Sequence, residues 1–253
     1  MVRWMGIVNL TPDSFFEPSR VWVEGTEPAG GDFVSLAMQK IRGLIADGAD
    51  IIDLGAVSTR PGAKDVPLEE EWRRLEPVLR ALGNRVEGGL QFSIDTTRAE
   101  IVRRAYAVAD PFIVNDISAG EDDTQMLPLV AELGLPYIAM HKRGGPSSMD
   151  SMCDYPDGVM PELLRYFADF ERRASSLGIR EWILDPGLGF AKTDAQNWEI
   201  LENLPQLQVF GRPILIGAAD KRFTRNVPNG TDVANALAIA GGAEILRVHE
   251  IRK

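Results

Sequence analysis

The sequence predicts an α/β protein, a (β/α)8 TIM barrel formed by one domain over residues 1–253. Eight short apolar runs recur along the chain, and most are separated by a stretch long enough for a helix, which is typical of a parallel sheet. The length of 253 residues is close to the roughly 250 that such a barrel needs. Nearly every run ends in a polar or charged residue, and in these barrels the carboxyl ends of the strands form the active site. The pattern therefore indicates an enzyme.

The strands are predicted from apolar runs in which Ile and Val are frequent. Such runs are typical of parallel strands that are buried on both faces. The eight predicted strands cover residues 4–9, 50–55, 91–95, 111–116, 136–141, 181–185, 213–218 and 244–249.

The helices are predicted between these strands. In the first, apolar residues from Phe33 to Ile45 recur near helical spacing. The second opens with three glutamates at 69–71, and acidic residues favour the positive end of the helix dipole. The predicted helices cover residues 33–47, 68–82, 98–108, 124–133, 159–177, 194–204 and 231–240.

Two connections, residues 10–32 and 56–67, are longer than the fold requires. Long loops after barrel strands are usually functional or disordered, so we expect mobile lids over the active site, with plain solvated loops as the alternative. After strand 8 the sequence ends at Lys253, which leaves no room for an eighth helix. Either the C-terminal helix is incomplete or the natural chain continues further.

Composition narrows the class of protein. The net charge is −10 and no Lys/Arg-rich block occurs, so nucleic acid is not an expected partner, although local arginines allow an anionic small substrate. The single cysteine, Cys153, excludes an intramolecular disulfide. No apolar run could span a membrane and the N-terminus does not resemble a signal peptide, so a cytoplasmic location is expected.

Four polar residues at strand ends are candidates for ligand binding: Asp53, Asp95, Asn115 and Asp185. Carboxylates and an amide in one barrel mouth could hydrogen-bond the edges of a flat heterocycle. The alternative is that each residue caps the next helix or ends its strand.

A second group of candidates suits an anion and a metal ion. Arg247 and His249 share one face of strand 8, near the usual phosphate site of such barrels, and Arg60 carries a guanidinium suited to phosphate. The Asn9 amide could ligate magnesium together with phosphate oxygens and water. Zinc is not expected, because His141 and His249 are the only histidines and are far apart in sequence.

The stretch D-P-G-L-G-F-A-K at residues 185–192 is rich in glycine. It has the spacing of neither the P-loop nor the dinucleotide fingerprint, so its glycines are expected to shape a tight turn. Phe190 could form a wall of an aromatic pocket or pack in the core.

The motifs resemble those of the dihydropteroate synthases, in the family's order and from residue 5 to about 250. The matching blocks are M-G-I-V-N-L-T-P-D-S-F, D-L-G-A-V-S-T-R-P-G-A, F-S-I-D-T-T-R, I-V-N-D-I-S, I-L-D-P-G-L-G-F-A-K, I-L-I-G-A-A-D-K and L-R-V-H-E. The first two blocks are specific to this synthase, whereas the D-P-G and N-D blocks also occur in other pterin-binding barrels.

The resemblance implies a reaction. The family joins p-aminobenzoate to 6-hydroxymethyl-7,8-dihydropterin diphosphate, which yields 7,8-dihydropteroate and diphosphate in an SN1-like, magnesium-assisted step. Members are often homodimers and are the targets of sulfonamides.

The resemblance also implies residue roles. The pterin ring would be held by Asp95, Asn115, Asp185 and Lys221, with Arg247 over its face. Thr59, Arg247 and His249 would hold the diphosphate, and Asn9 would ligate Mg²⁺. Loops around Phe15 and Arg60 would close over p-aminobenzoate. Asp95, Lys221, Arg247 and His249 would be the catalytic residues.

The chain departs from the family pattern near the second substrate. Where the family has G-x-S-R-K-S, Asp220 and Arg222 flank Lys221, and Val57 replaces the glutamate of G-G-E-S-T-R-P-G. Leu188 and Ala191 are further substitutions, in the D-P-G block. Weak or altered use of p-aminobenzoate, or altered sulfonamide sensitivity, is therefore a hypothesis. A methyl-folate-dependent methyltransferase domain and a non-catalytic pterin-binding homologue are the alternatives.

Overall fold

Parallel β-strands form the centre of the molecule. The computed structural model describes residues 2–11, 31–58, 65–83, 90–109, 111–145 and 148–251. In this part of the chain the strands are β1 (Arg3–Asn9), β2 (Ile51–Gly55), β3 (Gln91–Asp95), β4 (Ile113–Asp116), β5 (Tyr137–Met140), β6 (Trp182–Asp185), β7 (Leu215–Ile216) and β8 (Ile245–Val248). Each lies within two residues of a predicted boundary, so the strand predictions are confirmed.

The sheet curls into a nearly closed barrel. Its hydrogen-bonded order is β6-β5-β4-β3-β2-β1-β8-β7, and all pairs are parallel. The edges β6 and β7 meet through one parallel bridge between Leu184 and Ile214, beside a 2.9 Å hydrogen bond from the Leu184 N–H to the Pro213 carbonyl. The predicted TIM barrel is confirmed.

Helices follow most strands and cover the outside of the barrel. They are α1 (Gly31–Ala46), α2 (Leu68–Leu82), α3 (Ala99–Tyr106), α4 (Met126–Leu133), α5 (Val159–Leu177), α6 (Asp194–Glu202), α7 (Arg222–Arg225) and α8 (Gly230–Ala240). Among the described residues, two 3₁₀ segments, Met149–Ser151 and Leu204–Phe210, accompany them. The sequence did not predict α7 or the 3₁₀ segments, because such short elements show no helical repeat of apolar residues.

The first helix shows how the apolar pattern divides between core and surface. Phe33, Ala37 and Leu44 are buried against the barrel, whereas Leu36 and Ile45 keep 43% and 40% of their surface exposed. Successive helix residues are rotated by about 100°, so Leu36 and Ile45 flank the buried stripe. Only part of the apolar set therefore belongs to the core.

An apolar layer inside the barrel determines which side chains reach the active site. It contains Met5, Ile51, Ile113, Ile138, Ile183, Leu215 and Ile245, which form a cluster separate from the core between the sheet and the helices. Residues two positions further along a strand point to the same face. The layer thus places Asp53, Asn115, Asp185 and Arg247 inside the barrel, one step closer to the carboxyl ends.

The two long loops and the segment after β8 are described only in part. Of the proposed lids, residues 10–32 and 56–67, the parts 12–30 and 59–64 lie outside the described residues, so the lids stay a prediction. Beyond β8 the described chain runs only to Ile251 and contains no helix. No helix in the described part of the chain is long and apolar enough to cross a membrane.

Candidate active site

The carboxyl ends of the strands surround a cavity of about 370 Å³ and an adjoining one of about 160 Å³. Both are bounded by Asp95, Phe190, Lys221, Arg247 and His249. The larger cavity adds Asn9, and the smaller one adds Asn115 and Asp185. Eight of the predicted site residues are therefore brought together, while Thr59 and Arg60 lie outside the described residues.

Arg247 is held by two carboxylates. Its Nε donates to Oδ2 of Asp53 at 2.7 Å, and its Nη2 donates to Oδ2 of Asp95 at 2.8 Å. Burial opposes the charge of Arg247, but Asp53 and Asp95 outweigh this effect and raise its pKa. Arg247 is consequently a permanent cation in the cavity wall.

Asp95 shares this guanidinium but has an unusual pKa. Burial raises the pKa of its carboxyl to about 7; the positive charge of Arg247 opposes the shift, and the negative charge of Asp53 adds to it. Asp95 thus titrates near neutral pH, as groups with a role in proton or charge stabilisation often do.

Asp53 does not face the cavity, contrary to the expectation that it contacts a ligand. Its side chain is fully buried and accepts hydrogen bonds from Ser93 Oγ at 2.5 Å and from Asn115 Nδ2 at 3.2 and 3.3 Å, in addition to Arg247. The sequence shows that Asp53 points into the barrel, but not that neighbouring side chains cover it.

The 185–192 turn begins at Asp185, which lines the smaller cavity, and hydrogen bonds within the turn stabilise it. The Gly187 N–H donates to Oδ1 of Asp185 at 2.8 Å. Gly187 and Gly189 have φ values of +68° and +79°, which glycine adopts readily, so the tight turn is confirmed.

Lys192 closes this turn and was not predicted as a functional residue. Its side chain is 1% exposed, and its Nζ donates to the carbonyls of Gly187 and Phe190, both at 3.0 Å. The available signal was a lysine at the end of an otherwise apolar turn, since a buried ammonium needs several acceptors.

Lys221 and His249 contribute nitrogen groups of different charge. The Nζ of Lys221 lies 4.5 Å from the centre of the Phe190 ring, within the range of a cation–π interaction. Burial and then the positive charge of Arg247 lower the pKa of Lys221 to about 8. Burial and then Arg247 also lower the pKa of His249 to about 3, so His249 is neutral at physiological pH.

The larger cavity also has a rim of acidic and basic side chains. Asp150, Asp194 and Asp220 line it together with Arg222 and Arg225. The Arg222 side chain is 65% exposed and forms long ion pairs, 3.6 Å to Asp150 and 3.8 Å to Asp194. Of the two substitutions that distinguish the chain here, Arg222 partly offsets the negative charge that Asp220 adds.

Two other polar residues near strand ends have structural partners. Asp116 is buried and accepts from Ser118 Oγ at 2.7 Å and Tyr137 Oη at 2.6 Å. His141 is also buried and contacts Lys192. For Asp116 and His141 the structure therefore favours a structural role.

A buried glutamate that the sequence analysis did not single out supports the loop after Asp95. Glu71 of α2 is 1% exposed and accepts from Thr96 Oγ1 at 2.6 Å and from Arg98 Nη1 at 2.7 Å. Its position within a run of three glutamates gave no sign that it differs from its neighbours.

Comparison with known proteins agrees with this geometry. Residues 5–249 match the family described as pterin binding enzyme. Dihydropteroate synthase of Synechocystis sp. is 41% identical over 98% of this chain and 84% of its own length, and that of Escherichia coli K12 is 35% identical over 98% and 86%.

Solved structures give the same result. Dihydropteroate synthase of Yersinia pestis, in complex with a sulfonamide drug, superposes with a TM-score of 0.86 at 32% identity, covering 98% of this chain and 89% of that one. The Xanthomonas albilineans enzyme with 4-aminobenzoic acid has a TM-score of 0.82 at 36% identity, covering 98% and 87%.

The chain belongs to the family of pterin-binding enzymes. Within that family it is a homologue of the dihydropteroate synthases, which confirms the predicted dihydropteroate synthase function and the predicted enzyme class, a transferase. The SN1-like mechanism and the role of magnesium stay predictions. Small molecules are named with two of the solved structures: 4-aminobenzoic acid with the Xanthomonas albilineans enzyme, and pteroic acid with the Clostridium difficile enzyme.

Proposed function

We propose that this protein condenses 6-hydroxymethyl-7,8-dihydropterin diphosphate with p-aminobenzoate. The observation that carries the proposal is the shared cavity, in which hydrogen-bond acceptors for a flat heterocycle adjoin nitrogen groups suited to an anion. The acceptors are Asp95, Asn115 and Asp185, and the nitrogen groups are Lys221, Arg247 and His249.

The pterin ring would lie among the acceptors. Asp95 and Asp185 would accept from ring and amino N–H groups, as would the Asn115 amide oxygen. Lys221 would donate to the pterin carbonyl or a ring nitrogen, and Phe190 would form one wall of the pocket. Arg247 would lie over the ring, where a guanidinium interacts favourably with a π system.

Bond cleavage would be supported by the groups around the diphosphate. As the bond between the exocyclic methylene carbon and its oxygen breaks, the electron pair leaves with the diphosphate. Arg247 would offset that charge, and neutral His249 and predicted Thr59 would donate hydrogen bonds. The dihydropterin would stabilise the carbon cation, with ionised Asp95 assisting. The arylamine nitrogen would then bond to this carbon and release a proton.

Magnesium would bind together with the substrate, whose phosphate oxygens would supply some of its ligands. In the described part of the chain no group of three or more His, Cys, Asp or Glu could hold a metal ion. Asn9 lines the cavity, and one amide oxygen suits an ion that keeps water and phosphate oxygens as its other ligands. When bound, Mg²⁺ would neutralise part of the diphosphate charge.

The aryl acid would approach from the rim of the cavity. Arg60 and Phe15 are predicted to close over it and lie outside the described residues. Arg222 is an exposed cation of the described rim, as is Arg225, and it lies two residues from Asp220 in the chain. We propose altered affinity for p-aminobenzoate relative to the family pattern, because both residues differ from that pattern.

The proposal is tested by measuring diphosphate release with dihydropterin diphosphate and Mg²⁺, with and without p-aminobenzoate. Release that requires p-aminobenzoate and yields dihydropteroate would support it. Release without the coupled product would indicate that only the pterin half functions. No release, combined with pterin binding in calorimetry, would instead support the non-catalytic homologue.

We also propose that the protein is a single-domain homodimer in the cytoplasm. No transmembrane helix occurs in the described part of the chain, which agrees with that location. Light scattering after gel filtration would measure the mass, and a monomer over the micromolar range would contradict the dimer.

A further inference from the structure

A charged residue with no exposed surface lies beneath the pterin pocket. Asp53 on β2 accepts hydrogen bonds from Ser93 on β3, Asn115 on β4 and Arg247 on β8. A buried carboxylate destabilises a fold unless it is paired and hydrogen-bonded. Here all of its partners come from other strands, and two of them, Asn115 and Arg247, line the cavity.

The contact with Asn115 determines which end of its amide faces the pocket. Nδ2 of Asn115 lies 3.2 and 3.3 Å from the two oxygens of Asp53. A carboxylate accepts hydrogen bonds and cannot donate them when ionised, so the opposite amide orientation would place two oxygens together without a proton. With Nδ2 directed at Asp53, Oδ1 is the end left for a ligand. The carboxylate therefore makes Asn115 an acceptor toward the pocket.

The contact with Arg247 determines the plane of its guanidinium. Nε donates a hydrogen bond to Oδ2 of Asp53, whereas Nη2 lies 2.6 Å from Oδ2 of Asp53 and 2.8 Å from Oδ2 of Asp95. Two fixed points on one planar group restrict its rotation, because the donors of a guanidinium have a rigid fork geometry. Ser93, itself fully buried, fixes Asp53 in turn through the 2.5 Å bond.

We propose that Asp53 is a positioning residue that sets the hydrogen-bond polarity of the pterin pocket. It touches no ligand, but orients Asn115 as an acceptor and holds Arg247 in the plane that faces the ring. This inference rests on the proposed function, because it assigns the pocket to a pterin. It accounts for a fully buried carboxylate inside the barrel that does not line the cavity.

The test measures binding of 6-hydroxymethylpterin by titration calorimetry, without p-aminobenzoate or magnesium, so that no turnover is needed. In Asp53→Asn the new amide can donate to Asn115, which would then turn its own nitrogen toward the pocket. We expect the dissociation constant to rise roughly 10- to 100-fold, the effect of unpairing a buried hydrogen-bonding group.

The exchanged variant Asp53→Asn/Asn115→Asp separates positioning from general damage. It keeps the net charge and again leaves an acceptor facing the pocket, because the new carboxylate at 115 can accept from the new amide at 53 and from the pterin. We expect its dissociation constant to return to within about fivefold of wild type, a small residual loss compared with that of one hydrogen bond.

Asp116→Asn is the matched control. Asp116 is a neighbouring buried carboxylate, with partners Ser118 and Tyr137 and no place on the cavity wall. The control should lower thermal stability without changing pterin affinity. If it weakens binding as much as Asp53→Asn does, the effect is general and the proposal is overturned.

The remaining outcomes are also decisive. Unchanged binding in a folded Asp53→Asn variant would overturn the positioning role while leaving the proposed function intact. If this single variant does not fold, the exchanged variant decides, since a folded exchanged variant that does not bind would also overturn the role. If the wild-type protein does not bind the pterin, the proposed function itself fails, and this inference with it.

Discussion

The ammonium nitrogen of Lys192 lies 2.9 Å from Nδ1 of His141, so that the loop after β6 is joined to the end of β5 beside the cavity. Both side chains are 1% exposed. Burial and the nearby Lys192 charge lower the pKa of His141 to about 2, so His141 is a neutral acceptor for the lysine. The contact attaches the 185–192 turn to the end of β5 and thereby supports Asp185.

This contact predicts sensitivity to acid. The folded-state pKa of His141 is about 2 against 6.5 for the free group, so the unfolded chain binds more protons between these values, and stability is lost as the pH falls below 6.5. Between pH 7 and pH 5 the loss is about 2 kcal/mol. In His141→Gln this loss should be absent, so the difference between the unfolding free energies measured in urea at pH 7 and at pH 5 should be about 2 kcal/mol smaller than in wild type. An equal pH dependence in wild type and variant would contradict the assignment.

The turn itself predicts a large effect at one glycine. A Cβ at Gly187 would collide with the carbonyl oxygen of His141, and the φ of +68° is unfavourable for other residues. Gly187→Ala should lower the free energy of unfolding by roughly 3–5 kcal/mol, from strain and overpacking together. Gly211, at φ +58° with open space around it, is the control, and Gly211→Ala should cost about 1–2 kcal/mol. Similar losses would show that packing against His141 is unimportant.

Asp95 predicts the acid limb of the pH–rate profile. Burial raises the pKa of its carboxyl to about 7. Because the ionised carboxylate is the form that stabilises the carbon cation, kcat/KM should fall as the pH drops through 7. Asp95→Asn should remove this limb and lower kcat/KM by roughly 100-fold or more. If the variant keeps the limb, another group is responsible.

Lys221 predicts the alkaline limb. Burial, followed by the charge of Arg247, places its pKa at about 8, and loss of its proton should weaken pterin binding above that pH. Lys221→Arg should move the limb to higher pH, because arginine keeps its charge. The measurement is KM for the pterin substrate between pH 7 and 10, with KM for p-aminobenzoate as the internal control.

Arg222 and Asp220 predict opposite effects on the aryl acid. Arg222→Gln removes one of the two rim arginines that attract a carboxylate and should raise KM for p-aminobenzoate about two- to fivefold, whereas Asp220→Asn should lower it by a similar factor. Both effects should shrink in 1 M salt, where exposed charges are screened over about 3 Å. Changes that persist in high salt would indicate a steric cause.

The strand ends were predictable from the sequence because their cause is local. An apolar residue in the inner layer and a polar residue two positions later appear as Ile113 and Asn115 or as Ile183 and Asp185. The barrel rule then places the polar residues in one mouth. The inward direction of Asp53 is equally local and was equally clear.

What could not be predicted depends on partners that are distant in sequence. Asp53 is removed from the cavity by Ser93, Asn115 and Arg247, and nothing near residue 53 reveals those contacts. Lys192 supports the site because its ammonium group donates to carbonyls of the 185–192 turn, and these contacts form only when the turn is folded. Thr59 and Arg60 remain predictions, since they lie outside the described residues.

The barrel is joined least firmly at the place where its substrate would bind. Between β6 and β7 the pairing is reduced to one bridge, and β7 has only two residues. Asp185 lies on one side of this seam and Lys221 follows on the other. A pterin hydrogen-bonded to both would connect the two sides of this seam, and each tenfold increase in ligand concentration above its dissociation constant would add about 1.4 kcal/mol to the stability of the folded protein. In each catalytic cycle, substrate binding would then strengthen the connection between β6 and β7, and product release would weaken it again.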